Sequence, residues 1–209
     1  MANPGDGIPS KKAQLRAQIR AQRAATARGI HADRDAAIAR NAETLFASQP
    51  PGARIACYLS APTEPGTNAL VRALLDHGFE VIAPRVRGSH LDWAVVTAAS
   101  SFETGSFGIR EVNGPSVGLD TEPLRSAELI FVPALAIDHH GVRLGQGGGF
   151  YDRTLEPLVT GPAEGPLLVG VINQDELYDE LPAEDHDRLV AAALSQASIT
   201  YLPVETGRF

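Results

Sequence analysis

A single cysteine, Cys57, in 209 residues leaves no partner for an internal disulfide and no thiolate set for a zinc cluster. That fits a reducing compartment, and the cytoplasm is the expected location. No apolar run approaches the length of a membrane span. The opening MANPGDGIPS lacks both the basic start and the apolar stretch of a secretion signal, so residues 1–9 read as a flexible tail ahead of one domain over 10–209. Positive charge is scarce beyond the start. Residues 1–40 hold eight of the 18 Lys and Arg and only three of the 25 acids, while the whole chain carries a net charge of -7. A nucleic-acid backbone needs basic residues spread along an extended surface, whereas this distribution confines them to one segment and fits one compact anionic ligand better. No heptad or exposed apolar stripe calls for assembly, so a monomer without nucleic-acid or membrane partners is expected.

What is present is an ordinary globular composition, 44% hydrophobic and 21% charged. The segment KKAQLRAQIRAQRAATAR reads as a helix with Ser10 as N-cap, Leu15 and Ile19 on one stripe, and Lys12, Arg16, Arg20 and Arg23 on another. From spacing alone that basic stripe is either a solvated face or an anion-binding one. A second helix is expected from about His31 to Ser48, ended by QPPG. Beyond residue 54 short apolar runs alternate with helical ones. RIACYLS is a strand, TNALVRALLDHG a helix between Thr67 and Gly78, and FEVIAP, LDWAVV, ELIFVPALAI and LLVGVI are further strands. This alternation predicts an α/β fold of Rossmann-like type, a single-domain three-layer α/β/α sandwich around a mainly parallel sheet. Ligands of such sheets bind beyond the carboxyl ends of the strands.

At one such end lies GVRLGQGGGFYDR, residues 141–153, with five glycines and two arginines. Clustered glycine is entropically costly unless the backbone must turn sharply or approach a ligand. A glycine turn between strand and helix offers backbone N–H groups to phosphate. The established phosphate fingerprints are nevertheless missing: no G-x-x-x-x-G-K-[ST] occurs, and Phe150 stands where G-x-G-x-x-G needs its last glycine. Asp152 in the first helical turn would repel phosphate unless a cation lay between them, and Mg²⁺ is the natural bridge. A tight connection with an ordinary N-terminal aspartate is the competing reading.

The run VPALAIDHHGVRLGQGGGFYDR resembles the signature of the 5-formyltetrahydrofolate cyclo-ligase family, R-L-G-x-G-x-G-Y-Y-D. The resemblance extends through Lys12 and Arg16, YLSAPTEPGT with Glu64 and Thr67, PRV at 84–86, GSFGIRE at 105–111, Gln174, and HD at 186–187. It implies ATP- and Mg²⁺-dependent ring closure of 5-formyltetrahydrofolate, with or without a polyglutamate tail, to 5,10-methenyltetrahydrofolate. By the same resemblance Lys12, Arg16, Arg143, Leu144, Gly145, Gln146, Gly147, Gly148, Gly149, Phe150 and Tyr151 bind the nucleotide, with Arg143 and Tyr151 catalytic. Leu59, Glu64 and the loop from Gln146 to Phe150 are implied to bind the folate, and Asp152 and Asp187 to hold Mg²⁺. Glu64 is chemically apt, because a carboxylate accepts the adjacent N–H donors of a pterin edge. Trp93 is expected in the core, and His186 is given no catalytic role.

Three positions depart from the family pattern: Gln146 replaces Tyr or Arg, Phe150 replaces a tyrosine, and Ala191 stands where an Asp often occurs. They keep three alternatives open: action on another folate, nucleotide binding without turnover, and an RNA-binding module built on the basic helix. The last is disfavoured by the acidic remainder and the lack of an aromatic–basic motif.

Overall fold

The computed structural model describes residues 7–26, 28–105, 108–160, 165–184 and 187–203. Two helices lead, α1 (Ile8–Ala25) and α2 (Arg28–Phe46). They are followed by β1 (Arg54–Cys57), α3 (Asn68–Asp76), β2 (Glu80–Arg87), β3 (His90–Val96), β4 (Phe102–Thr104), β5 (Arg110–Val112) and β6 (Ser116–Leu119). Then come β7 (Ala127–Pro133), β8 (Ala136–Asp138), β9 (Arg143–Leu144), α4 (Phe150–Leu155), β10 (Leu167–Val171), β11 (Leu177–Tyr178), β12 (Ala192–Leu194) and β13 (Ile199–Tyr201).

The main sheet has the order β13-β12-β10-β7-β1-β2-β3-β6. Its centre is parallel, from β12 through β10, β7 and β1 to β2, and antiparallel pairs flank it at both edges. Buried side chains alternate along the central strands. Ile55, Cys57, Val81, Leu129, Phe131, Val169 and Val171 enter one core with Ile38 and Phe46 of α2 and Leu70 and Leu74 of α3. Ala56, Ile82, Ile130 and Leu168 enter the opposite core with Trp93 and with Leu155 of α4. Strands buried on both faces read as continuous apolar runs, which makes them legible in sequence. The α/β sandwich is therefore as expected, although the second helical layer is thin, since α4 has only six residues.

Several boundaries differ from expectation. The helix α1 begins at Ile8, inside the span read as tail, because Pro9 in its first turn has a pre-set φ and needs no N–H partner there. Gly7, not Ser10, is its N-cap, and the Ser10 N–H already donates to Gly7 O at 3.0 Å. The second helix spans Arg28–Phe46 where 31–48 was expected. Thr67 does precede α3, yet its hydroxyl donates to Tyr58 O at 2.7 Å and makes no cap bond. ELIFVPALAI is not one strand. It breaks after Pro133, which offers no N–H, and residues 136–138 join a separate sheet of order β11-β8-β9. Against that small sheet α1 packs, through Ile19 with Leu135, Val142, Leu144 and Leu181.

Candidate active site

The loops after β1 and β9 and the ends of β2 and β3 surround a cavity of about 440 Å³. Leu59, Pro84, Val86, Leu91 and Phe150 supply apolar wall, and Glu64, Glu111, Arg20, Arg143 and Asp152 supply charge. Such a volume and mixture suit a small organic ligand held in orientation by a few polar groups.

The floor is the glycine loop. Gly147 has φ +98° and Gly149, the N-cap of α4, has φ +67°, a region closed to most side chains. A Cβ on Gly149 would also lie 2.7 Å from Arg153 Nη1. Helix α1 grips this loop from outside. Arg16 Nε donates to Gly145 O at 2.9 Å, and Arg20 donates to Gln146 through Nε to Oε1 at 3.1 Å and through Nη2 to the backbone oxygen at 2.6 Å. Gln146 Nε2 in turn donates to Glu64 Oε1 at 3.2 Å, while the other carboxylate oxygen accepts from Ala61 N at 2.9 Å. Basic stripe, glycine loop and the acid of the β1 loop are thus joined in one chain of hydrogen bonds.

Arg143, 5% exposed, pairs with Asp152 and donates to Pro133 O at 3.2 Å. Its Nε, the hydroxyl of Tyr151 and Arg23 Nη1 are the buried side-chain polar atoms left without a hydrogen bond among the described residues. The first two belong to residues of the cavity wall, and buried donors without partners are costly unless a ligand completes them. Burial, reinforced by nearby Cys57 and Glu64, pushes the Tyr151 hydroxyl far above the usual tyrosine range. The hydroxyl is therefore held protonated, with its hydrogen available to an acceptor.

Lys12 is 4% exposed and lies 2.7 Å from Glu184 Oε2 and 2.6 Å from Asp187 Oδ2. Burial alone would lower its ammonium, but bonds to Asp187 and Glu184 outweigh that and raise it above the usual lysine range. A metal can be tested against this arrangement. The carboxylate oxygens of Asp152 and Asp187 are the hard donors that Mg²⁺ takes, with phosphate oxygens and water completing its shell. Each is bonded to a cation of the chain instead, and no group of three His, Cys, Asp or Glu side chains is poised for a metal among the described residues. The donors fit Mg²⁺ in kind.

Of the residues expected at the site, Leu59, Glu64, Arg143, Gly145, Gln146, Gly147, Gly148, Gly149, Phe150, Tyr151 and Asp152 line the cavity. Lys12, Arg16 and Asp187 are not part of that lining: Arg16 is bonded to Gly145 O of the loop, and Lys12 to Asp187. Leu144 is outside that lining, and its side chain, 2% exposed, packs in the core of the small sheet. Trp93 is core, with Nε1 donating to Asp120 O at 2.8 Å. His186 lies outside the described residues. Two charged wall residues have no assigned site role in the sequence reading. Arg20 shares the helical spacing of Lys12 and Arg16, a signal that could have found it. Glu111, 2% exposed, accepts from Val86 N and Arg87 Nη1 and ties β5 to β2, a contact only the fold reveals.

The chain was compared with known proteins. A profile of the 5-formyltetrahydrofolate cyclo-ligase family matches residues 8–196. The 5-formyltetrahydrofolate cyclo-ligase of Mycolicibacterium smegmatis is 38% identical over 141 residues, covering 65% of this chain and 70% of the relative. That of Haemophilus influenzae is 29% identical over 181 residues, covering 85% and 93%. Among solved structures, the 5,10-methenyltetrahydrofolate synthetase of Aquifex aeolicus superposes with a TM-score of 0.75 at 24% identity over 94% of this chain and 95% of that one, a likeness of fold. No described helix is long and apolar enough to cross a membrane. A match this continuous takes in the basic helix, the Glu64 loop and the glycine loop together, and the chain belongs to the 5-formyltetrahydrofolate cyclo-ligase family.

Proposed function

We propose that the chain catalyses the ATP- and Mg²⁺-dependent closure of 5-formyltetrahydrofolate to 5,10-methenyltetrahydrofolate, as a cytoplasmic monomer. The N5-formyl group is amide-like and a poor electrophile. Phosphorylation of its oxygen by ATP, with Mg²⁺ neutralising the phosphates, makes that oxygen a leaving group. N10 then attacks the formyl carbon, the new C–N bond forms, and the C–O bond breaks as phosphate leaves and takes up the proton that N10 loses. No covalent nucleophile is needed from the protein, whose work is to orient the reactants and to neutralise charge.

The chain's residues suit those tasks. Glu64 Oε1 already accepts an amide N–H₂ from Gln146, and the amino group of a pterin would take over that bond. Phe150 and Leu59 offer apolar surface to the ring. The protonated Tyr151 hydroxyl and the Arg143 guanidinium donate hydrogen bonds to oxygens that gain negative charge. Lys12 and Arg16, with the backbone of Gly145 to Gly149, would hold the triphosphate, and Asp152 and Asp187 the metal.

The observation that carries this reading is the pair of unpartnered buried donors, Arg143 Nε and Tyr151 Oη, on residues of a cavity that also carries Glu64. Its test is incubation of the purified protein with Mg-ATP and 5-formyltetrahydrofolate. Methenyltetrahydrofolate absorbance rising in step with ADP is the expected result. ATP binding without either product, at high enzyme concentration, would replace this reading with nucleotide binding alone.

A further inference from the structure

Each cation expected at the nucleotide is already engaged by the chain itself. Lys12 sits between Glu184 and Asp187, Arg143 is paired with Asp152, and Arg16 donates to Gly145 O. A triphosphate reaching Lys12 without a metal would have to leave two carboxylates beside its own charge in a poorly solvated place. A divalent cation reverses the balance, since it satisfies the carboxylates that Lys12 releases.

Glu184 is the informative member of this group. It is not one of the acids expected on the metal, yet its carboxylate reaches Lys12 as closely as Asp187 does. Its own backbone N–H donates to Asp187 Oδ2 at 2.7 Å, and the Asp187 N–H returns a bond to Glu184 O at 3.0 Å. The two acids are thus bonded to each other as well as to the ammonium. The Glu184 side chain keeps 32% of its surface exposed against 11% for Asp187, so it is the more solvated of the two.

We propose that Glu184 is a positioning residue which, with Asp187, holds Lys12 away from the triphosphate until a divalent cation arrives, so that nucleotide and metal bind as one unit. This rests on the nucleotide reading given above. Lys12 would exchange its carboxylate partners for phosphate oxygens, and Asp187 would be freed to hold a divalent cation.

Calorimetric titration of the full-length protein with ATP, in the absence of folate so that no turnover occurs, tests this with and without Mg²⁺. In the parent, Mg²⁺ should strengthen ATP binding on the order of 100-fold. Glu184→Gln should strengthen binding of ATP in EDTA by about tenfold while changing that of Mg-ATP by no more than about threefold, so that the coupling between metal and nucleotide shrinks. In a Lys12→Gln/Glu184→Gln double variant the gain in EDTA should disappear, because the released ammonium is its source. Unchanged thermal melting of Glu184→Gln confirms that the fold is kept. The proposal is overturned if Glu184→Gln binds metal-free ATP no better than the parent. It is equally overturned if the gain survives loss of Lys12, which would make it a general effect of negative charge. A parent that binds ATP in neither condition refutes the nucleotide reading itself, a result distinguishable from both.

Discussion

Arg23 and Lys12 stand on the same helix, both are buried, and both end in acids from far along the chain, yet they are held in different ways. Arg23 meets Glu176 through two bonds, Nε to Oε1 at 2.6 Å and Nη2 to Oε2 at 2.7 Å, and also donates to Ala134 O. Both side chains are sealed, at 4% and 5% exposure. The carboxylate of Glu176 further accepts from Asn173 N and Asn173 Nδ2, closing a capping box on the turn that leads to β11. Lys12, by contrast, lies between Asp187 and a Glu184 side chain that remains one-third exposed. A fork in a closed network cannot change partners without unfolding its surroundings, whereas a single ammonium between two acids, one of them at the surface, can. One end of α1 is fastened and the other is exchangeable.

Breaking the fastened end should have the largest effect. Arg23→Met leaves Glu176 as a buried, unpaired carboxylate, and urea unfolding should show a loss of about 3–5 kcal/mol. A loss under about 1 kcal/mol would mean that Glu176 finds water or another donor, and the contrast with Lys12 would collapse.

At the catalytic floor, Asp152→Asn should lower turnover about 100-fold with the melting temperature nearly unchanged, since Asp152 is only half-buried and its amide replacement can still bond Arg143. Titrating Mg²⁺ is the check. An Asp152→Asn variant with parental rate and parental metal dependence would show that the loop works without metal.

The exchangeable end predicts a mixed result. Lys12→Gln should raise the KM for ATP by about 30-fold, the worth of one strong charge-assisted hydrogen bond, and leave the KM for folate in place. Because Lys12 is buried in ion pairs, some stability should go as well. Its ammonium is raised in the folded state, so the stabilisation is fully present below the ordinary lysine pKa and is lost only as pH rises through the folded value. The stability gap between parent and variant should therefore be flat through neutral pH and narrow only in strong alkali; a gap that closed near pH 7 would contradict the assignment.

The smallest effect is expected from Tyr151→Phe. It removes one hydroxyl that makes no hydrogen bond among the described residues, so stability should hold or rise slightly, and kcat should fall about fivefold to tenfold if the hydroxyl donates to substrate in the reaction. An unchanged kcat would assign Tyr151 to the wall alone.

How much of the molecule is legible in its sequence varies with the physics of each segment. The central strands can be read because burial on both faces demands unbroken apolar runs, and α3 because Gly78, with φ +80°, stops it where the periodicity ends. The short strands β4, β5, β6, β9, β11, β12 and β13 give no signal of their own. With two to four residues each, they exist through pairing with partners elsewhere. The break after Pro133 escapes a reading of the sequence because the apolar run continues through it, while the proline's missing N–H matters only once the ladder is known. At the site, the glycine loop, Glu64 and the basic helix are each visible. Arg20 is visible as spacing and Glu111 as part of GIRE, but nothing local distinguishes a wall residue from a surface one.

The sequence by itself determined which chemical groups the chain can bring to a ligand: a glycine loop able to adopt left-handed turns, cations concentrated on one helix, and acids at 64, 152 and 187. It also determined the layered α/β plan, because periodicity and burial are local properties of an apolar pattern. Only the tertiary structure decided who holds whom. That Lys12 is buried between residues 184 and 187, that Arg23 is locked to Glu176, and that Gln146 bridges α1 to Glu64 are contacts across more than 80 residues of chain. Such contacts depend on three-dimensional distance, which sequence spacing does not encode.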